Sequence, residues 1–370
     1  MKKIRNIFQL TGNAQVIILI SGTLLLIAAS VFIDFIVLKT SPLVETTPKF
    51  SPVYIMKSLL VLTASLLLIE SILKVSRKHL QNSIKRIRLR LGRAAKFRLA
   101  VVFLISSGFI VLFIISPELF SALCREDQPV EMLSSILFFV CCAIFLEVFI
   151  MAVKFGRNQY FLIVSSAALL IIFFLIGMEE ISWFQRVLGI DTPSAFAGNI
   201  QKEMNLHNYA TNYVENAYYF SSFVFLVLIP FIFFRIPEIR SLGAVTLLIP
   251  GRTSLLAASV IMAYNYDMWN NVLIQFSFFA SLLILCNIRN RARGRDRIII
   301  TSIIITLVIT QVILLFNPEH IVRRWDATEY KEFFISLAFL IYSGGVYFRM
   351  KSSGLDCEVE TLTAGSKTNP

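Results

Sequence analysis

The sequence predicts an all-α fold, a polytopic transmembrane helical bundle of about ten spans with both termini in the cytoplasm. Of the 370 residues, 56% are hydrophobic and only 16% are charged, a balance that water-soluble domains do not have. Apolar runs close to the ~20 residues that cross a bilayer recur along the chain. Lys and Arg also gather in alternate connecting segments, as they do in multi-pass proteins.

The first half of the chain contains five of these runs. The first one follows Lys2, Lys3 and Arg5, and a signal peptide cleaved at residues 28–30 is the alternative to a span. Because the run continues to Leu38, an uncleaved span is favoured. The predicted spans are Val16–Leu38, Val53–Leu73, Leu99–Ser116, Met132–Val153 and Tyr160–Gly177.

The second half supplies five more runs, one of which is interrupted by Pro250, Gly251 and Arg252. We count the interrupted run as a span, because otherwise the five arginines that follow the next span would lie on the outer side of the membrane. Residues 1–350 then form one transmembrane domain, and residues 351–370 form a polar cytoplasmic tail that we expect to be disordered. The predicted spans are Ala217–Phe234, Ala244–Tyr264, Met268–Ile288, Ile298–Phe316 and Phe333–Phe348.

The distribution of charge predicts the orientation. With a cytoplasmic N-terminus, 25 of the 35 Lys and Arg residues fall in the inner segments, whereas 15 of the 23 acids fall in the outer ones. The net charge of +12 is therefore explained by orientation in a membrane and by contact with anionic lipid, and nucleic acid is not expected as a partner. The concentration of acids indicates that any chemistry takes place at the outer face.

The polar outer-face element at residues 177–216 is the candidate site. It begins with the adjacent acids Glu179 and Glu180, where hydrocarbon gives way to head groups. A continued helix would place Glu179, Trp183 and Arg186 on one face. Two neighbouring acids can divide the roles of general base and metal ligand, although solvated acids at a helix end are the alternative. The cost of placing charge at this depth favours a function.

Further along the element, His207 is a candidate base or metal ligand. A divalent metal is one cofactor that suits this set of side chains, but the sequence does not identify it. The predicted catalytic residues are Glu179, Glu180 and His207. The predicted substrate-binding residues are Trp183, Gln185, Arg186, Asn205, Asn208 and Asp267.

Other charged residues have structural explanations. Asp326, Glu329 and Glu332 precede the last span at helical spacing, which favours a solvated face over a set of oxygen ligands. Pairing with Lys57 or Arg252 explains three acids inside spans, although a proton or substrate pathway would use such acids as well. Those three acids are Asp34, Glu70 and Glu147.

One family resemblance rests on the outer-face element. The residues from Glu179 to Arg186, the pair at 192–193 and the polar run at 199–208 resemble the signature EExSWxQR…TP…NxQxExNLHN of an uncharacterised family of multi-pass prokaryotic membrane proteins. The resemblance covers about 30 residues and implies the cytoplasmic membrane of a prokaryote, but it implies no activity. Members of that family often have Gly in place of Phe184.

The Abi-type intramembrane CAAX proteases have a similar pair of glutamates, followed four residues later by an arginine. Here Phe184 stands at the arginine position, and no Phe-x-x-x-His pattern ends at His207. These departures argue against a protease of that type.

These observations favour an outer-leaflet enzyme, with or without the assistance of a metal ion, that acts on a lipid-linked or envelope substrate. The first alternative is a transporter or flippase that uses the charged residues within spans and the interrupted run. The second is a non-catalytic membrane scaffold.

Overall fold

The computed structural model describes residues 14–80, 90–156, 159–186, 188–196, 198, 204–206, 209–236 and 243–365. These residues fold into helices and contain no strand, which confirms the all-α prediction. The helices are α1 (Ala14–Val37), α2 (Pro52–Leu80), α3 (Arg93–Ile115), α4 (Pro117–Leu123), α5 (Pro129–Lys154), α6 (Tyr160–Glu180), α7 (Thr211–Arg235), α8 (Val245–Leu248), α9 (Arg252–Ile261), α10 (Val272–Arg289), α11 (Gly294–Phe316) and α12 (Asp326–Gly365).

Within these described ranges, nine helices are long and apolar enough to cross a membrane, so the prediction of a multi-pass membrane protein is confirmed. Prolines mark several of their boundaries: Pro52 and Pro129 are the first residues of α2 and α5, and Pro117 follows the end of α3. Proline suits the first helical turn because it lacks the N–H group that this position leaves unpaired.

The interrupted run is not one continuous span. Ile249 and Gly251 have extended backbone on either side of Pro250, so α8 ends and α9 begins there. The predicted break is therefore present, and the run is missing from the nine long helices because each of its pieces is short.

The two short helices nevertheless make a tenth passage through the bundle. At one end, the Arg349 guanidinium donates hydrogen bonds to the carbonyls of Leu247 and Ile249 at 2.8 and 2.9 Å. At the other end, the Lys331 ammonium donates to the side chain of Asn265 at 2.5 Å. Residues 247–265 therefore run antiparallel to residues 331–349 of α12, a helical length of about 27 Å.

The centre of the bundle is built around α9 and α12. Every residue of α9 from Ser254 to Ile261 is buried. The middle of α12 packs against α5 and α9, α5 packs against α6, and α2 packs against α1 and α10. α12 also continues through part of the predicted polar tail, as far as Gly365.

The connecting segments collect at the two ends of the bundle as the alternation of spans requires. At one end, Lys96 pairs with Asp296 at 2.8 Å, which joins two predicted inner segments. At the other end, the Thr46 amide donates to the Asp267 carbonyl at 2.8 Å, which joins two predicted outer segments. Which end faces the cytoplasm stays a prediction from the charge distribution.

Candidate functional site

α6 ends directly after the two adjacent acids. The helix stops at Glu180, and the next turn, Ser182–Phe184, has left-handed backbone with φ of 47°, 56° and 61°. Three consecutive non-glycine residues in this conformation are strained, at about 1–2 kcal/mol each. The expectation that the helix continues through Trp183 to Arg186 is therefore wrong.

Glu179 holds the outer-face element in place. Its carboxylate accepts a hydrogen bond from the Trp183 indole at 2.8 Å and another from the Leu206 amide at 2.7 Å. The contact between Glu179 and Trp183 thus forms through the left-handed turn and not along a helix face. Both contacts bind the element to the end of α6, so this carboxylate has a structural role.

Gln185 and Asn205, two predicted substrate-binding residues, are buried within the same element. The Gln185 side chain accepts from the Met204 amide at 2.6 Å and donates to the Thr192 hydroxyl at 3.1 Å. Asn205 donates to the Ser182 hydroxyl at 3.3 Å. These hydrogen bonds link separate parts of the outer-face element to one another.

Arg186 joins the outer-face element to the acidic loop between α4 and α5. Its guanidinium pairs with Glu126 at 2.7 Å and with Asp127 at 3.0 Å. Partial burial acts to lower the pKa of Arg186, but the two acids outweigh it and leave that pKa above its ordinary value. This contact lies on the surface and contributes modestly to stability.

Glu180 lies within electrostatic range of a group of acids from other helices. It interacts electrostatically with Glu332, Glu131 and Glu329, all of them half-buried. The Tyr219 hydroxyl donates to the Glu332 carboxylate at 2.6 Å. Helices α5, α6, α7 and α12 thus each contribute a side chain to one site.

A second group of acids adjoins the first through Glu332. Glu215 interacts with Glu332, with Glu45 and with Asp267, which lies in the turn between α9 and α10. We call the two groups together the outer acidic cluster. Its members are Glu45, Glu131, Glu180, Glu215, Asp267, Glu329 and Glu332.

A buried cation, Lys331, accompanies the outer acidic cluster. Its ammonium lies 4.4 Å from the centre of the Tyr219 ring and interacts electrostatically with Asp267, Glu215 and Glu332. Its hydrogen-bond acceptor is the amide side chain of Asn265 and not a carboxylate. The lysine therefore compensates several acids at once without forming a close ion pair with one of them.

Asp267 is the most deeply buried acid of the cluster, with 1% of its surface exposed. Neither of its carboxylate oxygens has a hydrogen-bond partner among the described residues. Burial, followed by the repulsion of Glu45, raises the pKa of Asp267 well above its ordinary value. An acid in this environment favours the protonated form.

Amide side chains around Asp267 hold the turn in position. Asn265 and Gln311 form a reciprocal pair, since Asn265 donates to the Gln311 side chain at 3.0 Å and Gln311 donates to the Asn265 carbonyl at 2.6 Å. Asn271 donates to Asn216 of α7. These buried amides fix the tip of the tenth passage because each of them is satisfied by a neighbouring element.

Asp34 and the acids at the start of the last helix are buried or half-buried. The pairing of Asp34 with Lys57 is confirmed: both side chains are buried, and their charged atoms are 2.6 Å apart. The solvated face favoured for the acids at the start of the last helix is wrong. Asp326 is buried against Arg323 at 2.8 Å, and Glu329 and Glu332 belong to the outer acidic cluster.

The sequence missed five members of the site, namely Glu45, Glu131, Glu215, Lys331 and Tyr219. The helices α5, α7 and α12 begin before their apolar runs, at Pro129, Thr211 and Asp326. This extension places the polar residues on helix at the end of the bundle that the charge distribution predicts to be the outer one. The available signal was the placement of acids at helical spacing just before an apolar run.

The proposed metal ligands are not assembled within the described ranges. No group of three or more His, Cys, Asp or Glu side chains there has an arrangement that could hold a metal ion. His207 and Asn208 lie outside the described residues, so their roles stay predictions. His320 packs edge-on against the Phe113 ring, with 5.6 Å between the ring centres.

Comparisons with family models, curated proteins and solved structures give no match to this chain.

Proposed function

We propose that the outer acidic cluster is the reaction centre of an enzyme at the outer leaflet of a prokaryotic cytoplasmic membrane. The observation that carries this proposal is the convergence of Glu180, Glu131, Glu329 and Glu332 from three helices. Neighbouring carboxyl groups in one site can divide into a proton donor and a proton acceptor, which is the requirement for general acid–base catalysis.

The position of the cluster supports a lipid-linked or envelope substrate. Glu180 is the last residue of the apolar helix α6, and Glu131 lies in the first turn of α5. Both carboxyl groups are therefore at the depth of the lipid head groups. A substrate anchored in the outer leaflet would bring its polar part to this level.

Lipid extracts of a deletion strain test the proposal. Wild-type protein should restore the lipid or envelope composition of the deletion strain, and Glu180→Gln and Glu332→Gln should not restore it at equal expression and insertion. Asp191→Asn is the control, because Asp191 is an exposed acid in the same outer-face element. Full restoration by both glutamine variants would overturn the assignment of a reaction centre.

A transporter is the second candidate, and the broken passage favours it. Extended backbone at Ile249 and Gly251 lies at one end of that passage, and the buried Asp267 and Lys331 lie at the other. Transporters use discontinuous helices in this way to expose backbone groups and to place charges at a coupling site. Proton uptake by pyranine-loaded proteoliposomes that is lost in Lys331→Met would favour this function over catalysis.

A further inference from the structure

A half-open groove lies on the outer half of the bundle, between the start of α2 and the turn that precedes α10. It encloses about 320 Å³, and its lining is almost entirely apolar. Ile55, Leu59 and Leu62 form one wall, and Trp269 and Phe279 face them. Ile55 and Leu59 are among the exposed apolar residues of α2, so the groove opens towards the surface that lipid covers.

The groove extends over most of the depth of one half of a bilayer. On α2 its lining runs from Tyr54 to Leu62. Eight helical residues rise about 12 Å. The hydrocarbon core of a bilayer is about 30 Å thick, so the chains of a single leaflet are long enough to fill the groove.

The side chain of Lys49 lies at the head-group end of the groove. Lys49 lines the groove and is exposed. Its ammonium lies 5.9 Å from the centre of the Tyr54 ring, and none of the described carboxylates forms an ion pair with it. An unneutralised lysine at this depth, beside aromatic rings, attracts the phosphate of a lipid head group.

The same turn borders the groove and the outer acidic cluster. Trp269 lines the groove, whereas Asp267, two residues earlier, belongs to the cluster. Asn270 of this turn donates to the Thr47 carbonyl at 3.3 Å, which fastens the turn to the loop that carries Lys49. A lipid in the groove would thus have its head group next to this shared turn.

We propose that the groove binds one acyl chain of an anionic phospholipid of the outer leaflet, with its phosphate on Lys49. The shape complements a chain because the walls are almost entirely apolar and extend over most of the depth of one leaflet. The charge complements the head group because Lys49 is the cation in the lining. This inference goes beyond the proposed function and stands without it.

Native mass spectrometry of the purified full chain in detergent tests whether the charge of Lys49 contributes to lipid binding. We expect phosphatidylglycerol to be retained more strongly than phosphatidylcholine. Lys49→Gln should weaken phosphatidylglycerol binding about fivefold, the change that one lysine near the head groups produces. Lys39→Gln is the matched control, because Lys39 is an exposed lysine of the same loop and does not line the groove. Equal binding by Lys49→Gln and wild type would overturn the role of Lys49.

A second pair of variants tests the groove itself. Leu59→Trp should fill it and reduce the retention of both lipids, whereas Leu104→Trp, on the exposed face of α3, should not. Both substitutions are at exposed apolar positions, so each variant should remain folded, which gel filtration checks. Unchanged lipid retention in Leu59→Trp would overturn the proposal. It would also be overturned if the wild-type protein were a lipid-free dimer and Leu59→Trp were a monomer.

Discussion

The carboxylate of Glu179 accepts a hydrogen bond from the backbone amide of Leu206 at 2.7 Å, across 27 residues of sequence. This contact fastens the far part of the outer-face element to the end of α6. Its neighbour Glu180 interacts electrostatically instead with the other acids of the outer acidic cluster. Adjacent acids that look equivalent in the sequence therefore have different surroundings.

The two acids should respond differently to the same substitution. Glu179→Gln keeps one acceptor but weakens two hydrogen bonds to a charged group, so we expect a loss of about 1–3 kcal/mol of stability and faster proteolysis of the outer-face element. Glu180→Gln should keep stability and lose function. Thermal unfolding and complementation, measured on both variants, check the distinction, and identical behaviour of the two would contradict it.

Asp267 predicts a pH dependence of stability. Because burial and the nearby Glu45 raise its pKa, the folded protein holds this proton more tightly than the unfolded chain. The contribution of this proton to the stability of the folded protein is complete below the unfolded pKa of about 3.9. It is lost as the pH rises through the folded pKa. The Tm of Asp267→Asn should therefore rise relative to that of the wild type with increasing pH.

Thermal unfolding in detergent at a series of pH values measures this difference. Asp191→Asn, at an exposed acid, should give a curve parallel to that of the wild type. A wild-type curve that is also parallel to that of Asp267→Asn would contradict the assignment.

The ion pair between Lys57 and Asp34 predicts non-additive substitutions. Lys57→Met leaves a buried carboxylate without its partner, and we expect a loss of about 3–5 kcal/mol. The double variant Asp34→Asn/Lys57→Met should recover most of that loss, because it removes both charges. Thermal unfolding of the two single variants and the double variant measures the coupling, and additive effects would be inconsistent with the pair.

Arg349 stabilises one end of the tenth passage through hydrogen bonds. It satisfies the carbonyls of Leu247 and Ile249, which the extended link deprives of helical partners. Arg349→Met should cost about 1.5–3 kcal/mol. Lys351→Met, at an exposed cation on the same helix, should cost little, and a similar loss of thermal stability in both variants would argue against this role.

The orientation can be measured by labelling. In a cysteine-free background, Ser194→Cys should react with an impermeant maleimide in intact cells. Ser352→Cys should react only after the membrane is opened, since the charge distribution places the C-terminal end in the cytoplasm. Both serines are exposed. The reverse pattern would invert the topology and place the outer acidic cluster in the cytoplasm.

The sequence by itself determined the class of the protein and the position of most spans. Hydropathy is a local property, and a run such as Tyr160–Gly177 is long enough to specify a helix whatever surrounds it. The break at Pro250 was also readable, because Pro250 cannot donate a helical hydrogen bond and the adjacent Gly251 has a low helix propensity.

Only the tertiary structure decided which polar residues meet. Glu180 and Glu332 are 152 residues apart, and no local pattern reports that α6 and α12 bring them to one site. The left-handed turn at Ser182–Phe184 also takes Trp183 and Arg186 off the helix that carries Glu179, because the backbone there follows the contacts of the outer-face element and not helical periodicity. Local chemistry specifies helices, but the packing of distant helices creates the site.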